Sequence, residues 1–296
     1  MGAQILRARF FAPPAQLAGC FTSFYLLEVE PGGGGSVADY LHPEWANLRF
    51  FLGGAPSSEI VGGATLRHTP FTATGPTSCP ISFRVPATRM WGIGLLPLGW
   101  AKFMNAPASS LANTLSDGLR HPAFRHFEPL YDALRNAPSD DGAQAAVLSD
   151  FFLARDRSVK HAAKIAAVHE ALVDPEVRNS CDLAARAAIS TRTLERLCAR
   201  HFGFSPQMLI RRQRLMRTLS AFMLAEHKTW SQVIDVQYAD HAHFTHDFHA
   251  FMRMSPSEYA ALDHPVLSTF MTERARVLGS PVQTLDRPRS VLSAPR

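Results

Sequence analysis

The sequence predicts an α+β protein: a β-rich domain with added helices over residues 1–154, an all-α domain over 155–263, and a tail over 264–296. Three observations predict it. Short apolar or alternating runs, separated by Gly, Pro and Ser clusters, fill the first hundred residues. Helical periodicity takes over from about residue 107. Residues 181–259 then read as two successive units, each with a short helix, a tight turn, a capping residue and a longer helix. A length of 296 residues suits two domains, and 46% hydrophobic with 19% charged residues is ordinary globular material.

The β-like runs lie at 21–30, 47–52, 81–85 and 90–96, with turn-forming clusters at 31–36, 53–58 and 74–78. Closely spaced short strands with such turns predict a small barrel or sandwich. Residues 109–115, 123–137 and 143–153 read as helices, with a break at Pro138-Ser-Asp-Asp-Gly142. The polar stretch 154–160 marks the domain boundary.

The all-α domain opens with an Ala-rich amphipathic segment, 159–173, closed by Asp174-Pro175. In the first unit, Leu183, Ala184 and Ala187 form an apolar face, with small residues where helices must approach closely. Ile189 fills the turn, and the Ser190 hydroxyl can cap the next helix by accepting a free backbone N–H. Glu195 stands too late for a capping box. Leu194, Leu197 and Cys198 point inward, which leaves Thr191, Arg192, Glu195, Arg196 and Arg200 on the outer face.

Gly203 ends that helix, and Ser205-Pro206 starts another, with proline where a helix tolerates it. Residues 206–225 predict one uninterrupted helix carrying Arg211, Arg212, Arg214 and Arg217. Its length of about 30 Å is close to the ~34 Å of one DNA turn. In the second unit, Trp230, Val233, Ile234 and Val236 are the expected buried face, and Asp240 the cap. Phe244, Phe248 and Phe251 recur at helical spacing and point inward, leaving His241, Ala242, Thr245, His246 and His249 outside. Ser255 and Glu258 form a Ser-x-x-Glu capping box. Beyond about residue 278, a Pro-, Ser- and Arg-rich composition predicts a frayed end.

Two helix-turn-helix units in one chain can address two successive turns of one duplex, and charge falls accordingly. Residues 155–260 hold 15 Lys+Arg against 11 Asp+Glu, a balance of +4, while residues 1–154 hold 10 against 11, a balance of −1. Phosphate binding needs this distribution. No window carries about 18 consecutive apolar residues, so a membrane span is not expected. The start offers no apolar core before a small-residue cleavage site, so export is not expected. Cys20, Cys79, Cys181 and Cys198 form no CxxC pair and read as free thiols of a reducing cytoplasm.

At this point the chain resembles the AraC/XylS family of bacterial transcription regulators. The resemblance rests on Ile189-Ser-Thr-Arg-Thr-Leu-Glu-Arg196, Phe202-Gly-Phe-Ser-Pro206, Arg214-Leu215, His243-Phe244 with Phe248, and Met254-Ser-Pro-Ser-Glu-Tyr259. It covers residues 160–260 and implies a seven-helix domain of two helix-turn-helix subdomains joined by a long helix. By position, Arg192, Glu195 and Arg196 fall where such a first recognition helix touches bases, and His241, Ala242 and His246 at the corresponding places in the second. Gln237 and Arg253 stand where the family commonly has glycine, and His246 where it often has arginine. The first 150 residues resemble the cupin-like sensor domains attached to some members, through Trp91-Gly-Ile-Gly-Leu-Leu-Pro-Leu-Gly-Trp100, Asn105-Ala-Pro-Ala and Leu111.

Each candidate has a plainer alternative. Arg192 and Arg196 suit guanine edges or phosphates, or simply a solvated helix face. Glu195 could accept from a cytosine amine or pair with a neighbouring arginine. Arg211 and Arg212 are expected on phosphate. The cluster His241, His243, His246 and His249 suggests zinc by residue type, but it lies in the DNA-reading helix, so no metal is expected and phosphate contact is favoured for His246 or His249. Metal-dependent cupin chemistry needs His-x-His, and only His42-Pro-Glu44 comes near. Trp45, Phe50, Trp91, Trp100 and Phe103 could line an apolar pocket or be ordinary core, and Cys20 and Cys79 could sense oxidation or be core.

The resulting expectation is a cytoplasmic, sequence-specific DNA-binding transcription regulator, by family analogy an activator, and not an enzyme. Its β-rich domain is expected to sense a small molecule or to mediate dimerisation. Expected partners are double-stranded promoter DNA, RNA polymerase, a small-molecule effector and a second copy of the chain, with no cofactor and no membrane. The alternatives are an enzyme carrying a helix-turn-helix module, such as a methyl-accepting repair protein, and a constitutive DNA-binding dimer without effector.

Overall fold

Every strand of the N-terminal part is antiparallel to its neighbours, and the side-chain alternation of each decides what lies on either side of it. The computed structural model describes residues 4–226 and 229–288. The chain runs through β1 (Ile5–Phe11), β2 (Phe21–Glu30), β3 (Val37–Leu41), β4 (Ala46–Phe51), β5 (Ser57–Ile60), β6 (Thr65–Arg67), β7 (Phe71–Thr74), β8 (Ile81–Val85) and β9 (Thr88–Leu95). Helix α1 (Pro97–Phe103) and strand β10 (Leu115–Asp117) follow, then α2 (Glu128–Asn136) and α3 (Asp141–Leu153). One sheet has the order β1-β2-β9-β4-β7-β10, and a second has the order β3-β8-β5-β6.

Successive strand residues point to opposite faces, and here they go to two different environments. Phe24 and Leu26 of β2, Leu48 and Phe50 of β4, and Trp91 and Ile93 of β9 join Phe124, Phe127, Leu130, Leu148 and Phe152 in a core under α1–α3. The alternate residues Tyr25, Leu27, Arg49, Phe51 and Met90 face the second sheet across a cavity. Gly92 keeps that inner face open, since a Cβ there would lie 2.0 Å from the Tyr25 ring.

The predicted α+β class is the one found, and the strands expected at 21–30 and 81–85 coincide with β2 and β8. The helix expected at 109–115 is instead a 3-10 turn, Ala108–Leu111, followed by β10. Asn113 takes a left-handed φ of 54° that breaks helix geometry, and its Oδ1 accepts the Ser78 N–H at 2.7 Å. The helix expected from 123 starts at Glu128, after a 3-10 turn at Arg125–Phe127.

The helical part comprises α4 (Ala162–Leu172), α5 (Ser180–Arg186), α6 (Thr191–Leu197), α7 (Pro206–Leu224), α8 (Trp230–Val233), α9 (His241–Met252), α10 (Pro256–Ala260) and α11 (Pro265–Leu278). Caps anticipated from residue type are present: Ser190 accepts from Thr193 N, Ser205 from Met208 N and Asp240 from His243 N, and Ser255 with Glu258 closes both bonds of a capping box. Gly203 ends the helical stretch that begins with α6, at φ 89°, where a Cβ would also meet Pro76 at 2.9 Å. Arg253 takes the left-handed C-cap position of α9 at φ 57°, a conformation that favours glycine. Val236 was expected inside but is 98% exposed, because α8 ends at Val233 and the chain leaves the helix before that position. Trp230 holds the short α8 in place by stacking on Phe222, with ring centroids 3.7 Å apart.

The two parts share their cores. Trp45 and Leu96 join the first subdomain's cluster with Leu183, Leu194, Leu197 and Leu209. Arg212 of α7 is fully buried. Its guanidinium lies 4.1 Å from the Trp45 ring centroid and donates to the carbonyls of Glu44 and Thr77 at 3.3 and 3.2 Å. His169 of α4 meets Trp45 edge-on, and His42 Nε2 lies 2.6 Å from the Tyr259 hydroxyl of α10.

The tail differs from expectation. Residues 279–288 were expected to fray, yet Val282 and Thr284 are buried and Gln213 of α7 donates to the Thr284 carbonyl at 2.6 Å; the rest of that expectation, 289–296, lies outside the described residues. Helix α11 crosses β1 and β3, the edge strands of the two sheets. Asp39 of β3 caps it from outside, accepting from Val266 N and Leu267 N at 2.8 Å each and lying 3.1 Å from His264 Nδ1. Phe270 completes the seam, T-shaped against both Phe10 and Tyr25.

Two outcomes follow from this packing. Asp39→Ala removes the acceptor of two buried N–H groups and should cost about 1–3 kcal/mol. Hydrogen exchange should then rise over 265–278 before it rises over the sheets; unchanged protection there would show that α11 is held by apolar contact alone. Burial also pushes His42 and His169 down to about 3, from 6.5. The unfolded chain therefore takes up these protons first, so stability is complete above pH ~6.5 and falls as pH falls toward the folded values. At pH 5 the loss should reach about 2 kcal/mol per histidine. His169→Phe should flatten the fall of Tm between pH 7 and 5; a wild-type Tm constant over that range would refute the assignment.

Candidate nucleic-acid interface and an internal cavity

The outer face of α6 is set by its inner one. With Leu194 and Leu197 buried, Thr191, Arg192, Glu195, Arg196 and Arg200 are all exposed. Arg192, Arg196 and Arg200 hold no ion pair among the described residues, so their donors face solvent. Glu195 makes no pair with a neighbouring arginine there either. In α9, burial of Phe244, Phe248 and Phe251 leaves His241, Ala242, His246 and His249 exposed and Thr245 half-buried. No group of three or more His, Cys, Asp or Glu side chains among the described residues is placed to hold a metal.

The arginines of α7 require a correction. Arg212 was expected on phosphate, but it is sealed between α7 and the loop before β4 and has no path to a duplex. Arg211 is partly exposed, and its Nη2 lies 2.7 Å from Asp247 of α9. Arg214 holds the other oxygen of the same carboxylate at 2.6 Å, and Arg217 pairs with Asp235. Asp247 is only 1% exposed; a charge so buried is tolerable only when paired, and two guanidinium groups supply this. These pairs orient α9 and the segment before it against the long helix. The alternation of Arg and apolar residues in α7 could not reveal which arginines were pairing residues, because their acid partners are 18 to 36 positions away.

The β-rich part was expected to sense a small molecule, but the cavity it holds is lined by residues other than those considered for a pocket. Between the two sheets, α7 and the C-terminal segment lies a cavity with about 1090 Å³ of empty space, its mouth included. Leu27, Phe51, Ile81, Phe83, Val266 and Phe270 are among its apolar walls. Its polar side chains are His42, Glu44, Arg49, Arg274, Gln283 and Thr284, with smaller hydroxyl residues. Arg49 lies 2.5 Å from Glu44; burial raises the Glu44 carboxyl while Arg49 opposes it. Trp45, Phe50, Trp91, Trp100 and Phe103, the aromatic residues considered for a pocket, line none of this cavity and sit in the adjoining cores. Cys20, Cys79 and Cys198 are buried, with burial pushing the thiols of Cys20 and Cys198 up to about 12 and that of Cys79 up as well.

Residues 183–261 match a family model described as a helix-turn-helix domain. No curated protein sequence matches the chain. Among solved structures, ToxT from Vibrio cholerae at 1.65 Å resolution is similar at 10% identity and a TM-score of 0.44, over 87% of this chain and 98% of that one. ToxT bound to (E)-4-(8-methylnaphthalen-1-yl)but-3-enoic acid is similar at 12% identity and a TM-score of 0.43, over 76% and 98%. The AraC-like transcriptional activator CuxR is similar at 13% identity and a TM-score of 0.31, over 73% and 82%. No helix of the described residues is long and apolar enough to cross a membrane. The C-terminal part of the chain thus carries a helix-turn-helix domain over residues 183–261.

The burial of Arg212 makes a testable distinction. Arg212→Ala should lower Tm, at a cost of about 2–3 kcal/mol from lost stacking on Trp45 and an unpaired Thr77 carbonyl, and leave the salt slope of DNA binding unchanged. A phosphate contact would instead reduce that slope by about one.

Proposed function

We propose that this protein, a DNA-binding regulator through its AraC-type domain, reads duplex DNA with α6 and α9 in successive major grooves and answers to a small molecule bound in its N-terminal part. The observation that carries the reading is the pairing of two outward recognition faces on one helix. α7 has 19 residues, about 28 Å at 1.5 Å each, and both recognition helices pack against cores that it supplies. Arg192, Arg196 and Arg200 on one face, and His241, His246 and His249 on the other, are the groups offered to bases and phosphates. Promoter DNA is the intended partner, with activation through contact with RNA polymerase and a second copy of the chain as further parts of the proposal.

A catalytic role is not part of this reading. Acceptor or nucleophile chemistry at cysteine needs an accessible thiolate, and burial moves Cys20, Cys79 and Cys198 the other way. Cys181 is exposed on α5.

The test is binding of the full chain to genomic fragments, with selection of bound sites and footprinting. Two protected major-groove segments about one turn apart are expected, with affinity falling steeply as salt rises. Arg196→Ala should cost about 1–3 kcal/mol on the selected site and much less on random duplex. Equal loss on both would move Arg196 to the phosphate class, and salt-independent binding, or none, would defeat the proposal.

A further inference from the structure

We infer that the cavity is a binding site for an uncharged, largely apolar small molecule with hydrogen-bonding groups at one end, and that the C-terminal segment is one wall of that site. The inference deepens the proposed ligand response and rests on it.

Most of the cavity wall is aliphatic or aromatic. Charge complementarity then narrows the guest. A carboxylate or phosphate guest needs a cation left without a counter-charge, because a buried unpaired anion is costly. Among the described residues the cavity offers none. Arg49 is held by Glu44 at 2.5 Å. Arg274 is held by Asp286 and by the Ser280 carbonyl. His42 is kept neutral by burial and by its neighbour His264. Three polar atoms of the cavity's lining residues are nevertheless buried without a partner: His42 Nδ1, Gln283 Oε1 and Thr284 Oγ1. Buried polar groups are nearly always hydrogen-bonded, and a guest with a hydroxyl, carbonyl or amide could satisfy them without bringing charge.

The same atoms connect the guest to the DNA-reading part. His42 contacts the Tyr259 hydroxyl through its other ring nitrogen. Gln283 donates to Glu44 at 2.7 Å, and the Thr284 carbonyl accepts from Gln213 of α7. Val266, Phe270, Gln283 and Thr284 all belong to the C-terminal segment, so the site is incomplete without it. A guest that reorients His42 acts one hydrogen bond away from α10, and one that shifts Thr284 acts one hydrogen bond away from α7.

The experiment uses the full chain and two fluorescent probes with the same ring system, uncharged N-phenylnaphthylamine and anionic anilinonaphthalene sulfonate. The uncharged probe should bind saturably, and decanol should displace it at concentrations at least about tenfold below those needed for decanoate. Leu41→Trp, which fills the lining, should abolish probe binding with the cooperative melt retained. Glu44→Gln leaves Arg49 charged without its counter-ion and should shift the competition toward decanoate by about tenfold or more. Displacement of the probe from the wild-type chain by decanoate as well as by decanol would overturn the uncharged class. Probe binding untouched by Leu41→Trp, or absent from the wild-type chain, would overturn the site. DNA binding of the same samples separates the two proposals: its persistence when probe binding fails rejects only this site, and its absence when probe binding succeeds rejects only the regulator reading.

Discussion

Burial of the Arg212 guanidinium shows how the molecule is held together. A buried cation is costly unless its charge and donors are met, and here the Trp45 ring meets its planar face while two carbonyls of the β-rich part accept from Nη1; Nε and Nη2 are buried without a hydrogen-bond partner. The long helix is thus part of two cores and of the contact with the sheets at once. Leu209 and Ile210 belong to the first subdomain, Leu215 and Leu219 to the second, and Arg212 to the contact with the sheets.

Three carboxylates divide the remaining work. Asp247 and Asp235 tie α8–α9 to α7 through Arg211, Arg214 and Arg217, and Asp39 ties α11 to the sheets. Each is poorly exposed and each joins elements distant in sequence. Breaking such a contact leaves a buried charge or buried donors unmet, so its loss is dearer than that of a surface pair. The consequence for function is a separation of roles. Arginines on α7 position α8 and α9, while Arg192, Arg196 and Arg200 on the α6 side hold no ion pair among the described residues.

The cavity sits where these constraints converge. Its walls come from both sheets, from α7 and from the C-terminal segment, and α11 covers the edge strands β1 and β3 that would otherwise present unpaired backbone. The edge cover, the cavity wall and the link to α7 are one continuous stretch of chain, Pro265 to Asp286. A guest in the cavity therefore touches the same residues that hold the two parts of the molecule together.

What the sequence determined by itself was local. Period-four and period-three recurrence of Phe244, Phe248 and Phe251 set the inner face of α9, and Ser190, Ser205 and Asp240 marked helix starts, because amphipathicity and capping act within a few residues. The exposed α6 residues, Arg196 among them, were legible for the same reason. Tertiary structure alone decided which arginines of α7 were spent on pairing, since Asp247 and Asp235 reach them only after the chain has turned back. It alone decided that residues 279–288 are docked rather than frayed, because their Pro- and Ser-rich composition carries no record of the groove between α7 and the sheets. The short strands β5 to β7 and the cavity were hidden likewise. A strand of three or four residues is defined by its hydrogen-bonded neighbours, and a cavity by residues that meet only across the fold.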